Sequence, residues 1–188
     1  MKRFRRILRI ISLVFFVLLT TNAKGQTADS IISNMDDVEV SLLTCGPGNE
    51  AYSLFGHTAI RISQPSRGMD VVVNYGMFSF KQKYFIPRFV LGLTDYQMGI
   101  TTLDDFKAEY EYEQRWVFEQ TLNLTSKEKS VLLQAIDQNY KPENVTYRYN
   151  FFYNNCTTKA RDLIAANIDG KIKYNSATSE YPSFRELC

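Results

Sequence analysis

Residues 38–44 alternate apolar and polar side chains with the two-residue period of a half-buried strand, and Cys45-Gly46-Pro47-Gly48-Asn49 supplies the turn chemistry that ends it. A second alternating run covers residues 56–63. The polar stretch 64–69, with Pro65 and Gly68, reads as a hairpin loop, and residues 70–78 form a third strand. In the second strand His57, Ala59 and Arg61 share one face, while Thr58, Ile60 and Ile62 share the other. If Ser63 pairs near Asp70, Asn74 falls on the His57 face; a slip of one residue offers Tyr75 instead.

The rest of the chain mixes both periods. Residues 80–93 are aromatic and basic, broken by Pro87 and Gly92, and predict a covering loop or short helix that walls a groove. A strand at 96–101 precedes a helix at 103–113 opened by Asp104, and then a strand at 115–124 with Trp116, Phe118 and Leu122 on its more apolar face. Thr125-Ser126-Lys127-Glu128 is a capping box, followed by a helical stripe of Val131, Leu132, Ala135 and Ile136; residues 141–144 end that helix. A last helix begins at Cys156, with Ala160, Leu163 and Ile164 on its buried side, and stops near Asn167 and Gly170. A short helix at 29–35 and a strand at 170–175 complete the expectation. These elements predict an α+β domain, an antiparallel sheet with packed helices.

The N-terminus follows a different pattern. Lys2, Arg3, Arg5, Arg6 and Arg9 precede an apolar run at 10–19 and a small, polar stretch at 20–25, the layout of a secretory signal peptide. Ten apolar residues fall short of the roughly 20 that span a bilayer. Ala23-Lys24-Gly25 fits the cleavage site, so the expectation is a signal peptide at 1–25, a single domain at 26–188 and no transmembrane span in the mature chain. An uncleaved signal anchor is the alternative. Export to the periplasm or beyond the cell follows from the signal peptide.

Removing the leader changes the charge. Residues 1–25 hold six of the 22 Lys and Arg and no acid, which leaves 16 basic against 20 acidic groups. The apparent basicity belongs to the leader, and a nucleic-acid partner loses its electrostatic footprint. With one His, and with Glu109, Glu111 and Glu113 on a helical face, no metal-ligand cluster is read and no cofactor is expected. The 13 Phe and 12 Tyr suit a half-buried sheet or a groove lined by rings. The number of copies in an assembly is not legible.

Cys156 carries the candidate chemistry. Asn155 before it is a good N-cap, so the thiol sits in the first helical turn, where free backbone N–H groups and the helix dipole favour a thiolate. The lone histidine, His57, is the candidate base, and Asn74 the candidate third group that orients the imidazole. Backbone N–H groups at Cys156 and Thr157, with Asn155 or a tyrosine such as Tyr75 or Tyr153, are candidate oxyanion or substrate contacts. The competing expectation is a Cys45–Cys156 disulfide, which an oxidising compartment favours; Cys188 is the third thiol.

Three separated motifs carry a resemblance: Leu43-Thr44-Cys45-Gly46-Pro47-Gly48, then Phe55-Gly56-His57-Thr58-Ala59-Ile60-Arg61, then the run from Tyr149 through Asn155-Cys156 to Thr158. Together they resemble the bacterial Lnb N-terminal periplasmic domain family over residues 38–167. Members of that family are usually longer, which implies a chain truncated after Leu187. More distantly, a His on an early strand followed by an Asn-Cys helix start is similar to the circularly permuted papain-like enzymes of the NlpC/P60 and lecithin:retinol acyltransferase group. That resemblance implies a permuted papain-like arrangement, Cys156 as nucleophile, His57 as base, and cleavage or transfer of acyl groups on a cell-envelope peptide or lipid. Hydrolase and acyltransferase remain open. So does a non-catalytic envelope-binding module with Cys156 buried or bridged.

Overall fold

The computed structural model describes residues 35–50, 52–79, 83–169 and 172. The expected signal peptide, nearly all of the 29–35 helix and the 170–175 strand, and Cys188 lie outside those residues.

Six strands form one antiparallel sheet in the order β5-β1-β2-β3-β4-β6. They are β1 (Glu39–Cys45), β2 (His57–Gln64), β3 (Met69–Met77), β4 (Asp95–Thr102), β5 (Val117–Thr121) and β6 (Thr146–Arg148). The helices are α1 (Phe85–Val90), α2 (Leu103–Tyr112), α3 (Ser126–Tyr140) and α4 (Cys156–Ala166). The expected α+β class with an antiparallel sheet and packed helices is therefore what forms.

Alternation along the central strands sends side chains into two cores. Val40, Ile60, Ile62, Val73 and Met98 pack with Leu132 and Ile136 of α3 and with Ala160 and Ile164 of α4. Leu43, Cys45, Ala59 and Val72 pack on the other face against Leu103, Phe106 and Tyr110 of α2. Burial on both faces fixes the register, because a one-residue slip would exchange the two sets. Ser63 does pair with Asp70. Arg61, on the α2 side, ties three strands together by a two-point contact to Asp70 at 2.8 and 2.7 Å and a third bond to Glu119 at 2.8 Å.

Several local expectations shift. Thr102, not Asp104, caps α2, its hydroxyl accepting the Asp105 N–H at 3.1 Å. Thr125 and Glu128 form the capping box of α3 as expected, but Val131 is exposed and Leu133 joins Leu132 and Ile136 in the core. The 115–124 stretch yields only an edge strand, and Trp116 and Phe118 stay exposed because the covering helices lie over the middle of the sheet. Its neighbour Val117 packs inward instead. Residues 146–148, where no strand was expected, close the opposite edge by pairing with Asp95, Tyr96 and Gln97.

Candidate active site

The start of β2 and the start of α4 meet at one end of the sheet. Gly56 makes the entry to β2: its φ is +74°, and a Cβ there would lie 2.4 Å from the Cys45 carbonyl oxygen, so only glycine turns the chain this tightly. His57 follows at once, directly across from Cys45. At α4 the Asn155 side chain accepts the Thr158 N–H at 2.9 Å while the Thr158 hydroxyl accepts the Asn155 N–H at 2.8 Å, a reciprocal cap. Cys156 is therefore the first helical residue, as its Asn-Cys spacing predicts. The Thr58 and Thr157 hydroxyls, 2.9 Å apart, clip the two elements together.

Both residues open onto a cleft of about 390 Å³. Its floor holds Cys156, His57, Thr157, Asn155, Asn74 and Gly76. Its walls are largely rings from four segments: Tyr52 and Phe55, Phe78 and Phe89, Tyr96, and Tyr149 and Phe151. Ring contacts join them, with Phe55 against Phe151 at 4.8 Å, Phe78 stacked on Tyr96 at 4.9 Å, and Tyr96 stacked on Tyr149 at 4.1 Å. Phe89 belongs to α1, so the aromatic and basic stretch does wall a groove through a short helix.

The cysteines have opposite electrostatic environments. Burial pushes the Cys156 thiol up, but the His57 imidazole as hydrogen-bond partner and charge, the Thr58 backbone N–H and the Thr157 hydroxyl more than offset this and bring it down to about 7. Burial pushes the Cys45 thiol up to about 11, against a weaker opposing hydrogen bond with Tyr110 and the Arg115 charge. The expected disulfide is not formed: both thiols are free, Cys45 in the core under α2 and Cys156 half-buried beside the core under α3 and α4.

Asn74 shares the cleft with His57 but does not hold the ring in the expected way. Its side-chain oxygen accepts the Gly76 N–H at 2.7 Å, while His57 Nε2 is buried with no hydrogen-bond partner among the described residues. Gly76 is needed there, because a Cβ would stand 2.7 Å from His57 Cε1 and 3.0 Å from Asn74 Oδ1. The pairing of β3 with β4 shifts register between Asn74 and Met77, which sets this bend next to the imidazole.

The other contacts expected from sequence divide. Thr157 lies in the cleft. Asn155 does too, but its amide is engaged in the cap and in a 2.6 Å bond to the Phe151 carbonyl. Tyr75 points into the core beneath α3, where its hydroxyl accepts from Asn139 at 3.0 Å. Tyr153 is 71% exposed and does not line the cleft. Both tyrosines are corrected by position: the register puts Tyr75 on the α3 face, and the turn at residues 151–153 swings Tyr153 outward.

The model of the Lnb N-terminal periplasmic domain matches residues 29–187. The chain belongs to this family. No curated protein and no solved structure matches it. The Lnb family match spans all three motifs and fits a periplasmic location, and among the described residues no helix is long and apolar enough to cross a membrane. Sequence reading of this Lnb domain missed Tyr96, Tyr149, Gly76 and the buried Arg115. A glycine inside a strand pattern is a signal of close approach and pointed to Gly76. Nothing in local sequence set Tyr96 apart from the other tyrosines.

Proposed function

We propose that this domain is an exported thiol-dependent acyl-transfer enzyme, a hydrolase or acyltransferase acting on an amide or ester bond of a cell-envelope peptide or lipid. The observation that carries the reading is the placement of Cys156, in the first turn of α4, in the same cleft as the chain's single histidine. The lowered thiol supports it, since a group near 7 is half thiolate at neutral pH.

In this mechanism His57 takes the proton of the Cys156 thiol. The thiolate adds to the acyl carbon, a C–S bond forms, and the carbonyl electron pair moves onto oxygen. Collapse of that oxyanion breaks the bond to the leaving group, which takes the proton back from the His57 imidazolium and departs. Water, or an amine or alcohol acceptor, then gives a proton to His57 and attacks the thioester, releasing Cys156. Asn74 acts as a positioning residue through the Gly76 backbone, which it anchors against the imidazole edge.

The permuted papain-like arrangement belongs to this same reading, with the histidine strand ahead of the cysteine helix. So do export by a signal peptide at residues 1–25 and a working domain at 26–188. A binding module with Cys156 buried or bridged has less support, because the thiol is free and opens on the cleft.

Turnover of muropeptides and of acyl lipids by the purified protein, with Cys156→Ser and His57→Ala alongside, tests the proposal. Activity on one class that both variants lose is the expected result. Full turnover in both variants would sink the mechanism.

A further inference from the structure

We infer that the open edge of β5 is a surface for self-association, where a second copy of this chain adds its own β5 antiparallel about Phe118 and the two sheets run into one. The backbone points to this first. Among the described residues β5 is an end strand that pairs only with β1. The Gly46 N–H bonds to the Trp116 carbonyl at 2.8 Å and the Leu122 N–H to the Val40 carbonyl at 2.9 Å, so the even positions of β5 bond to β1. The N–H and C=O groups of Val117, Glu119 and Thr121 therefore point outward, a template for a further strand.

The two edges of the sheet differ. β6 is only three residues long and carries the charged Arg148, whose guanidinium bonds Asp95 at 2.6 Å. β5 has none of the features that blunt an edge: no Lys, no Pro and no bulge against β1. Its single charge, Glu119, is drawn back across the sheet to Arg61 at 2.8 Å. Trp116 is 58% exposed and Phe118 64%, and two residues apart they share one face. The indole is held in place over Gly46, where a Cβ would stand 2.6 Å from its Nε1.

A second copy fits this edge because the strand is complementary to itself. With the twofold axis at Phe118, Val117 faces Glu119 of the other copy and Glu119 faces Val117, and each of these pairs exchanges both of its outward backbone bonds. The two Phe118 rings then meet at a non-hydrogen-bonded position, where opposed side chains come closest, and each Trp116 reaches the other copy's Phe118 on the diagonal. An axis at Glu119 would set two carboxylates against each other. The register about Phe118 covers the exposed rings and opposes no like charges.

Light scattering behind size-exclusion chromatography of the purified protein, up to about 0.1 mM, reads the association. The mass should rise with concentration to that of two chains. Phe118→Lys, a change at an exposed position, should return it to one chain, with the far-ultraviolet circular dichroism and the Cys156 alkylation midpoint unchanged. Phe118→Cys tests the register: paired Cα atoms about 4.5 Å apart can be bridged, so mild oxidation should give a linked dimer whose bridge peptide mapping places at position 118. Gln120→Cys, which faces Trp116 of the other copy, should not link. A wild-type mass of one chain throughout overturns the proposal, including the case in which the edge takes an extended peptide instead. A dimer that Phe118→Lys leaves intact, or one that links through position 120 and not 118, overturns it too.

Discussion

Replacing His57 by alanine should move the alkylation midpoint of Cys156 from about pH 7 to 9 or above. The folded thiol lies near 7 against an ordinary 9.0, with burial pushing it up and the imidazole the first of the groups opposing burial. Take away the imidazole and burial remains, with only the Thr58 N–H and the Thr157 hydroxyl against it. At pH 7 the thiolate fraction drops from roughly one half to about one in a hundred, a factor of about 50. A thiolate of higher pKa is intrinsically more nucleophilic, by about eightfold over two units, so the net loss in rate at pH 7 is about sixfold. Above pH 10 the order should reverse, with the variant labelling faster. Iodoacetamide rates from pH 5 to 11, read by peptide mapping, give both limbs, and buried Cys45 serves as an internal comparison that stays slow. A midpoint within half a unit of the wild type would refute the claim that His57 holds the thiolate.

Gly76→Ala should cost about 1–3 kcal/mol, because its Cβ would overlap His57 Cε1, and should raise the Cys156 midpoint as the ring is displaced; thermal melts and the same labelling curve check both. Asn155→Ala removes the cap of α4 and should lower stability by about 1 kcal/mol in urea titrations, with Asn155→Asp keeping the cap and raising the neighbouring thiol. Stability should depend on pH in two directions. The depressed folded value of Cys156 means its contribution is present above pH 9 and is lost as pH falls through 7. Cys45 is raised, so its contribution is full below pH 9 and is lost as pH rises toward 11, by up to about 3 kcal/mol. Urea midpoints should therefore climb from pH 7 to 9 and fall beyond it, with Cys156→Ser flattening the first limb and Cys45→Ala the second between pH 9 and 10, above which the raised tyrosines Tyr96, Tyr110 and Tyr147 add to the fall; a single slope in the wild type would contradict both assignments.

Much of this arrangement is written in short-range pattern. Alternation in residues 38–44 and 56–63 already places Ile60 and Ile62 opposite Ala59, and the two cores follow. The Asn155-Cys156 step and the Ala160, Leu163, Ile164 stripe announce a capped helix whose first residue is a thiol, since capping and helical period are properties of neighbours in the chain. Pattern gives less where an element meets something distant. Trp116 and Phe118 look like core residues until their strand is found at the sheet edge, and Val131 loses its place to Leu133 because the rotation of α3 is set by the face it covers. Residues 146–148 become a strand only because β4 offers an open edge to pair with.

The sequence by itself determined the chemical types at this site: one imidazole, a thiol in a helical first turn, an Asn on the histidine's face, and no second histidine to compete. It could do so because residue identity, capping and strand parity act over a few bonds. Only the tertiary structure decided that Cys45 and Cys156 occupy different cores, that Asn74 grips the Gly76 backbone instead of the imidazole, and that Tyr96 and Tyr149, among 12 tyrosines, line the thiol's cleft. Those outcomes depend on which side of the sheet each helix covers and on a register shift in β3, and such choices are made by packing between segments about 50 to 100 residues apart.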